Sequence, residues 1–383
     1  MKKSLLALAV LGAFTGIASA QSSVTLYGRI DQNVTLQDPG HNASANGTSK
    51  IGSSLVKLND GGVNGFGGSR LGFRATEDLG DGLKAFFKIE AGITPDTGSA
   101  GGSTSLNPTG NSFFNRSAYL GLSHATYGEI RLGRQESLTR ENNVKINDIS
   151  GENQFNIVEK LESATDKSGK GSRPLFQNFG TRVDNGIRYT TPVLYGFQGS
   201  AIVGLGERLA VTDATTGARN EAANYRGLSV VYLAGPLAVD LIYEDLRGGA
   251  AGHSDYNNVI TVGGSYDFGL AKVATAYQHT NNLGGQFDLA NTSKAFVKGT
   301  DVDAWNVGVA VPLNAFTFKV QYTGSNLHKP SSSSLYQDKY GGSLEYALSK
   351  RTLVYVTAVG RGGDSSSYYS RQGEYGLGLA HTF

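Results

Sequence analysis

Gly373-Glu-Tyr-Gly-Leu-Gly-Leu-Ala-His-Thr-Phe383 closes the chain. As a strand it sends Tyr375, Leu377, Leu379, His381 and Phe383 to one face and Glu374, Gly376, Gly378, Ala380 and Thr382 to the other. One face tolerates hydrocarbon and the other touches water, which is how a transmembrane barrel strand ending in an aromatic residue reads. Such a strand needs partners, and in lipid it needs a closed sheet.

The same period-two alternation recurs from Val24 to Phe383, and the connections are short and long in turn. Short turns fall at Leu79-Gly-Asp-Gly82, His124–Gly128, Pro192–Gly196, Ala234-Gly-Pro236, Asp267-Phe-Gly269, Pro312-Leu-Asn314 and Ser349-Lys350. Long connections rich in Gly, Ser, Asn and Thr fall at about 36–66, 94–111, 135–181, 206–224, 247–256, 281–300, 325–336 and 361–372. This spacing predicts an all-β fold: one antiparallel barrel of sixteen strands, each of about 9 to 11 residues, with all short turns at one rim. A barrel of that strand number is too wide for side chains to fill, so an aqueous channel follows.

At the other end, Met1-Lys-Lys3, an apolar run from Leu5 to Ile17 and Ala18-Ser-Ala20 match a secretory signal cleaved before Gln21. The expected organisation is therefore a signal peptide over 1–20 and a single barrel domain over 21–383. No later stretch is apolar and long enough for a spanning helix. The chain has no Cys, 53 Gly, 19 Tyr and 17 Phe among 383 residues, a composition that a soluble β-sandwich can share. Without Lys2 and Lys3 the basic residues equal the 32 acidic ones, so net charge implies no nucleic-acid partner. Tyr27, Phe113, Phe114, Tyr189, Tyr195, Tyr266, Phe268 and Tyr355 sit near expected strand ends, where either an interfacial girdle or plain strand propensity accounts for them.

Parity assigns the charges. Leu26 and Ile30 face lipid, so Arg29 and Asp31 face inward; Leu71 and Phe73 likewise send Arg70 and Arg74 inward, and Ala85, Phe87 and Ile89 oppose Lys84, Lys88 and Glu90. A lipid-facing Arg or Lys near the midplane costs about 2–4 kcal/mol, so basic residues sharing one parity argue for a watery interior. Parity does not place Arg116, which falls in step with Ala118, Leu120 and Leu122. Arg131 and Arg134 fall on opposite faces, and either can reach water from a strand end. Taken singly, each arginine is equally a solvated rim residue or half of an ion pair. The segment 135–181, about 47 residues, is too long for an idle connection and is expected to fold inward, the alternative being an external flap whose acids bind solvent or divalent cations. It carries Glu136, Glu141, Asp148, Glu152, Glu159, Glu162 and Asp166, with Asp148 and Glu152 flanking a Ser-Gly bend.

Several motifs resemble the trimeric Gram-negative porins, nearest the beta-proteobacterial general porins: Val24-Thr-Leu-Tyr-Gly28, Ser69-Arg-Leu-Gly-Phe-Arg-Ala-Thr-Glu-Asp-Leu-Gly80, Gly82-Leu-Lys-Ala-Phe86, Phe114-Asn-Arg116, Tyr119-Leu-Gly-Leu122, Leu132-Gly-Arg-Gln135, Leu348-Ser-Lys-Arg-Thr352 and His381-Thr-Phe383. The resemblance implies a third external loop folded into the pore. Its acids, Asp148 and Glu152, would face a basic wall of Arg29, Arg70, Arg116 and Arg182 with Arg74 and Arg134 nearby. It also implies an inward Arg116, a homotrimer set in outer-membrane lipid and lipopolysaccharide, and a terminal Phe383 read by the barrel assembly machinery. The expected role is passive diffusion of ions and small hydrophilic solutes, leaning toward anions, with no cofactor and no metal. An enzyme is disfavoured because none of the six histidines sits in a local catalytic motif.

Overall fold

The structure, a computed structural model, describes residues 23–41, 50–51, 54–60, 68–101, 112–149, 157, 182–206, 211–212, 219–249, 257–282, 299–328, 334–363 and 371–383. The expected signal segment and Glu152 lie outside the described residues.

Sixteen barrel strands are present among the described residues. They are β1 (Ser23–His41), β2 (Leu55–Asp60 and Arg70–Gly80), β3 (Leu83–Thr94), β4 (Ser117–His124), β5 (Gly128–Glu136), β6 (Arg182–Thr190), β7 (Phe197–Gly204) and β8 (Arg219–Ala234). They continue as β9 (Leu237–Gly249), β10 (Asn257–Asp267), β11 (Lys272–Asn281), β12 (Asp301–Leu313), β13 (Phe316–His328), β14 (Leu335–Ala347), β15 (Thr352–Gly363) and β16 (Arg371–Thr382). Every strand pairs antiparallel with its sequence neighbours, and β1 pairs with β2 on one side and β16 on the other, which closes the wall. Closure leaves no unpaired backbone edge in hydrocarbon. Among the described residues no helix is long and apolar enough to cross a membrane; the strands do the crossing.

Burial is inverted relative to a soluble domain. On β16, Leu377 and Leu379 are exposed while Glu374 is 1% exposed. Leu228, Val230, Leu241, Val262, Phe318, Leu344 and Val356 are likewise exposed on the outer face, whereas Thr261, Gln278, Gln321, Thr323 and Lys339 are buried within. Hydrocarbon, rather than water, is the medium that suits the outer set. Phe383 ends the seam: its backbone exchanges hydrogen bonds with Gly28 at 3.0 and 3.1 Å, and its ring stands where a Gly28 side chain would be.

The short turns occur where the sequence places them. In Gly80-Asp81-Gly82 all three residues have positive φ, which glycine adopts without steric penalty and Asp tolerates. The long connections are corrected. β1 runs on to His41 and a strand segment occupies Leu55–Asp60, inside the stretch read as a 36–66 connection. β13 and β14 likewise extend into 325–336. Strands therefore exceed 9 to 11 residues in many places, up to 19 in β1. The alternation itself persists there, with Val34, Leu36, Val56 and Leu58 exposed on the outer face and Asn33, Thr35 and Gln37 buried within; what hides it in the chain is its short length among Gly-, Ser- and Asn-rich stretches that read as loop.

Ser69, just before the second segment of β2, is tied to the end of the first segment and to β1. Its Oγ donates to Asp60 Oδ1 at 2.8 Å and accepts from the Asp31 backbone N–H, also at 2.8 Å.

Candidate functional site

Arg29 stands directly opposite Arg70 across β1 and β2, and Arg74 lies four residues further along the same inner face, opposite Thr25. Arg29 is buried and donates to Asp31 Oδ2 at 2.6 Å. Asp31 also accepts from the Tyr355 hydroxyl at 2.7 Å, linking β1 to β15. Arg74 is exposed to the lumen, its guanidinium 5.1 Å from the Tyr27 ring centre, a cation–π distance.

Glu90 on β3 organises the next group. Its Oε1 accepts from Arg116 Nε at 2.5 Å, and its Oε2 accepts from the Tyr27 hydroxyl at 2.9 Å and lies 3.2 Å from Lys88 Nζ. Arg116 is inward, and the reason is local: β4 begins at Ser117, so Arg116 sits in a bend before the strand and its parity never applied.

On β5 the backbone shifts register between Gly133 and Gln135, and Gly133 has φ of 124°. A bulge of this kind re-aims side chains. Arg134 donates to the Asn115 carbonyl at 2.7 Å and pairs with Asp184. Arg182 opens β6 opposite Glu136, with Arg116, Arg134 and Arg140 as its cationic neighbours. All six arginines expected on the wall are thus on the β1–β6 side, in two groups: Arg29, Arg70 and Arg74 together, and Arg116, Arg134 and Arg182 together.

The described residues that follow β5, 137–149, fold inward against the wall. Ser137 caps a short helix, α1 (Leu138–Asn142), its Oγ accepting from the Arg140 backbone N–H at 3.1 Å. A single π-helical turn, Asn143–Asn147, follows. Leu138 is fully buried against Val183, Ile202, Tyr225, Ile242 and Val259, worth about 1.5–3 kcal/mol for the side chain. Glu244 on β9 accepts from the Thr139 backbone N–H at 2.9 Å and from the Tyr225 hydroxyl.

Among the described residues of this segment, Glu141 is the acid that pairs with wall arginines. It pairs with Arg188, lies 3.9 Å from Arg131 and is bridged by Lys145 one turn on. Arg131 and Arg188 are themselves directly opposite across β5 and β6. Burial pushes the Glu141 carboxyl up, but the charges of Arg188, Lys145 and Arg131 outweigh it and hold the group well below the usual carboxylate range. Sequence reading names Glu141 among the loop acids and Arg131 and Arg188 on the strands flanking the loop without placing any of them at the narrowing; the signal available was that Arg131 and Arg188 share the inner parity. Asp148 is buried and accepts from the Gln321 amide on β13 at 3.2 Å. Below the helix, toward the short-turn rim, a cavity of about 690 Å³ opens between Lys84, Arg131, Lys145, Arg188, Glu129 and Glu141.

A family model described as Gram-negative porin matches residues 7–364. An outer membrane porin protein of Bordetella pertussis is 30% identical over the full length of both chains. Outer membrane porin protein 32 of Delftia acidovorans is 34% identical over 93% of this chain and 88% of its own. Among solved structures, an anion-selective porin from Comamonas acidovorans superposes with a TM-score of 0.65 at 27% identity, covering 94% of this chain and 100% of that one. With a closed wall, an interior lined by charge and relatives of this kind over its whole length, the chain belongs to the Gram-negative porins and forms a channel of the outer membrane, not an enzyme.

Proposed function

We propose that the channel passes small hydrophilic solutes and ions with a preference for anions, set by a basic wall opposed to acids on the inserted loop. The wall comprises Arg29, Arg70, Arg74, Arg116, Arg134 and Arg182, joined by Arg131 and Arg188. The loop contributes Glu141, Asp148 and Glu152.

One observation carries this reading: arginines stand directly opposite one another twice on the inner face, Arg29 with Arg70 and Arg131 with Arg188. Like charges in cross-strand pairs destabilise a sheet, so two such pairs gain their rationale from the field they impose on the lumen. The anion selectivity in the description of the Comamonas acidovorans porin agrees with it.

Reversal potentials across a planar bilayer in a salt gradient test the assignment. Arg29→Gln, Arg70→Gln and Arg116→Gln should each move selectivity toward cations, and Asp148→Asn or Glu152→Gln toward anions. An unchanged potential removes that residue from the ion path. The same reading includes a homotrimer, checked by the mass of the detergent-extracted protein, and export with cleavage before Gln21, checked by the mature N-terminus. Deleting Phe383 should leave unassembled chain in the periplasm if that residue is the assembly signal.

A further inference from the structure

The inner wall under the loop carries two neighbouring rungs in which Gly and Ala stand among larger, mostly polar residues. The first runs Asp240, Gly263, Ala276, Asn306 across β9 to β12. The second runs Ala274, Gly308, Gln321, Gly341, Val359 across β11 to β15. The loop occupies both. Asn147 donates its side-chain amide to Asp240 Oδ2 at 3.0 Å, accepts at its backbone oxygen from Asn306 Nδ2 at 2.9 Å, and rests its own side-chain oxygen where a Gly263 Cβ would stand. Ile149 fills the place above Gly308 and packs with Ala274; Ile157 packs against Val359 beside Gly341. Gln321 donates to both Asp148 and Asn306 between the two rungs.

We propose that these rungs form a seat fixing how far the loop stands off the wall, and hence the bore of the channel, with Gly263 and Gly308 as its positioning residues. Polar posts at Asp240, Asn306 and Gln321 set the loop's register, while the missing side chains set its depth. At Gly308 the case is sharpest. A Cβ there would lie 2.5, 3.0 and 3.3 Å from Ile149 Cγ1, Cδ1 and Cγ2, against about 3.5–4.0 Å for a relaxed carbon contact. Both branches of Ile149 crowd the point, and a β-branched side chain has little χ1 freedom with which to clear it. Relief therefore requires the loop to move into the lumen. The inference rests on the chain conducting as an open channel, which the conductance of the unaltered protein checks separately.

The test is single-channel conductance of purified protein. Gly308→Ala and Gly308→Val should lower it in graded fashion, and adding Ile149→Ala to either should restore it. Gly199→Ala, whose nearest added contact is an ordinary 3.6 Å, should conduct like the parent. Folded Gly308→Val conducting like the parent, or a loss that Ile149→Ala does not restore, overturns the proposal. Should the Gly308 variants not assemble, Ile149→Ala alone decides: a loop deprived of its anchor should give a noisier open-channel current, and a trace as quiet as the parent's refutes the seat.

Discussion

Replacing Glu141 by Gln removes one negative charge from the point where the inserted helix meets Arg131 and Arg188 while keeping the side chain's volume and one hydrogen-bond acceptor. An ion passing about 6 Å away through water feels about 0.7 kcal/mol from a unit charge. At 0.1 M salt, with a Debye length of about 10 Å, roughly half of that survives. About 0.4 kcal/mol changes the partition of each ion about twofold, cations down and anions up, so the anion-to-cation permeability ratio should rise about fourfold. Arg188→Gln should move it in the opposite direction by a similar factor. The assay is the reversal potential under a KCl gradient, with conductance recorded on the same channels to show that the pore is open. If Glu141→Gln leaves the permeability ratio within about 1.5-fold of the parent at unchanged conductance, the field at Glu141 does not reach the ion path and the reasoning from Coulomb distance fails.

Glu244→Ala leaves the Thr139 N–H and the Tyr225 hydroxyl without their acceptor, costing about 1–3 kcal/mol, and should appear as flickering of the open channel as the helix loosens. Gly28→Val occupies the space of the Phe383 ring and should cost about 1–3 kcal/mol in overpacking, read as lower heat resistance of the folded band on a cold detergent gel. Because the folded Glu141 carboxyl titrates below its unfolded value, its stabilisation is fully present above the usual carboxylate range and is lost only as pH falls through the depressed value. Conductance should therefore hold steady from neutral pH down to about 5, with loop-related noise emerging only in stronger acid.

The face of each strand was legible in the chain because a two-residue period is a local property that a membrane makes strict. Tyr375, Leu377 and Leu379 had nowhere to go but lipid, and Arg29, Arg70 and Arg74 followed by opposition. The same logic failed where its premise lapsed. At Arg116 there is no strand to impose parity, and after Gly133 a bulge resets it. Leu55–Asp60 keeps the alternation, with Val56 and Leu58 outward, but six residues set among Gly-, Ser- and Asn-rich stretches are too short to read as anything but loop.

Alternating hydrophobicity, the rhythm of short and long connections and a terminal aromatic by themselves determined the closed wall, its strand number and the side on which water lies, because each depends on neighbours within a few residues. The tertiary structure alone decided which acid meets the wall arginines and where the loop rests. Glu141 finds Arg188 across 47 positions, and Asn147 and Ile149 find Asp240 and Gly308 across more than 90, so only a wall already closed brings them within reach. Contacts of that separation leave no period in the chain to be read.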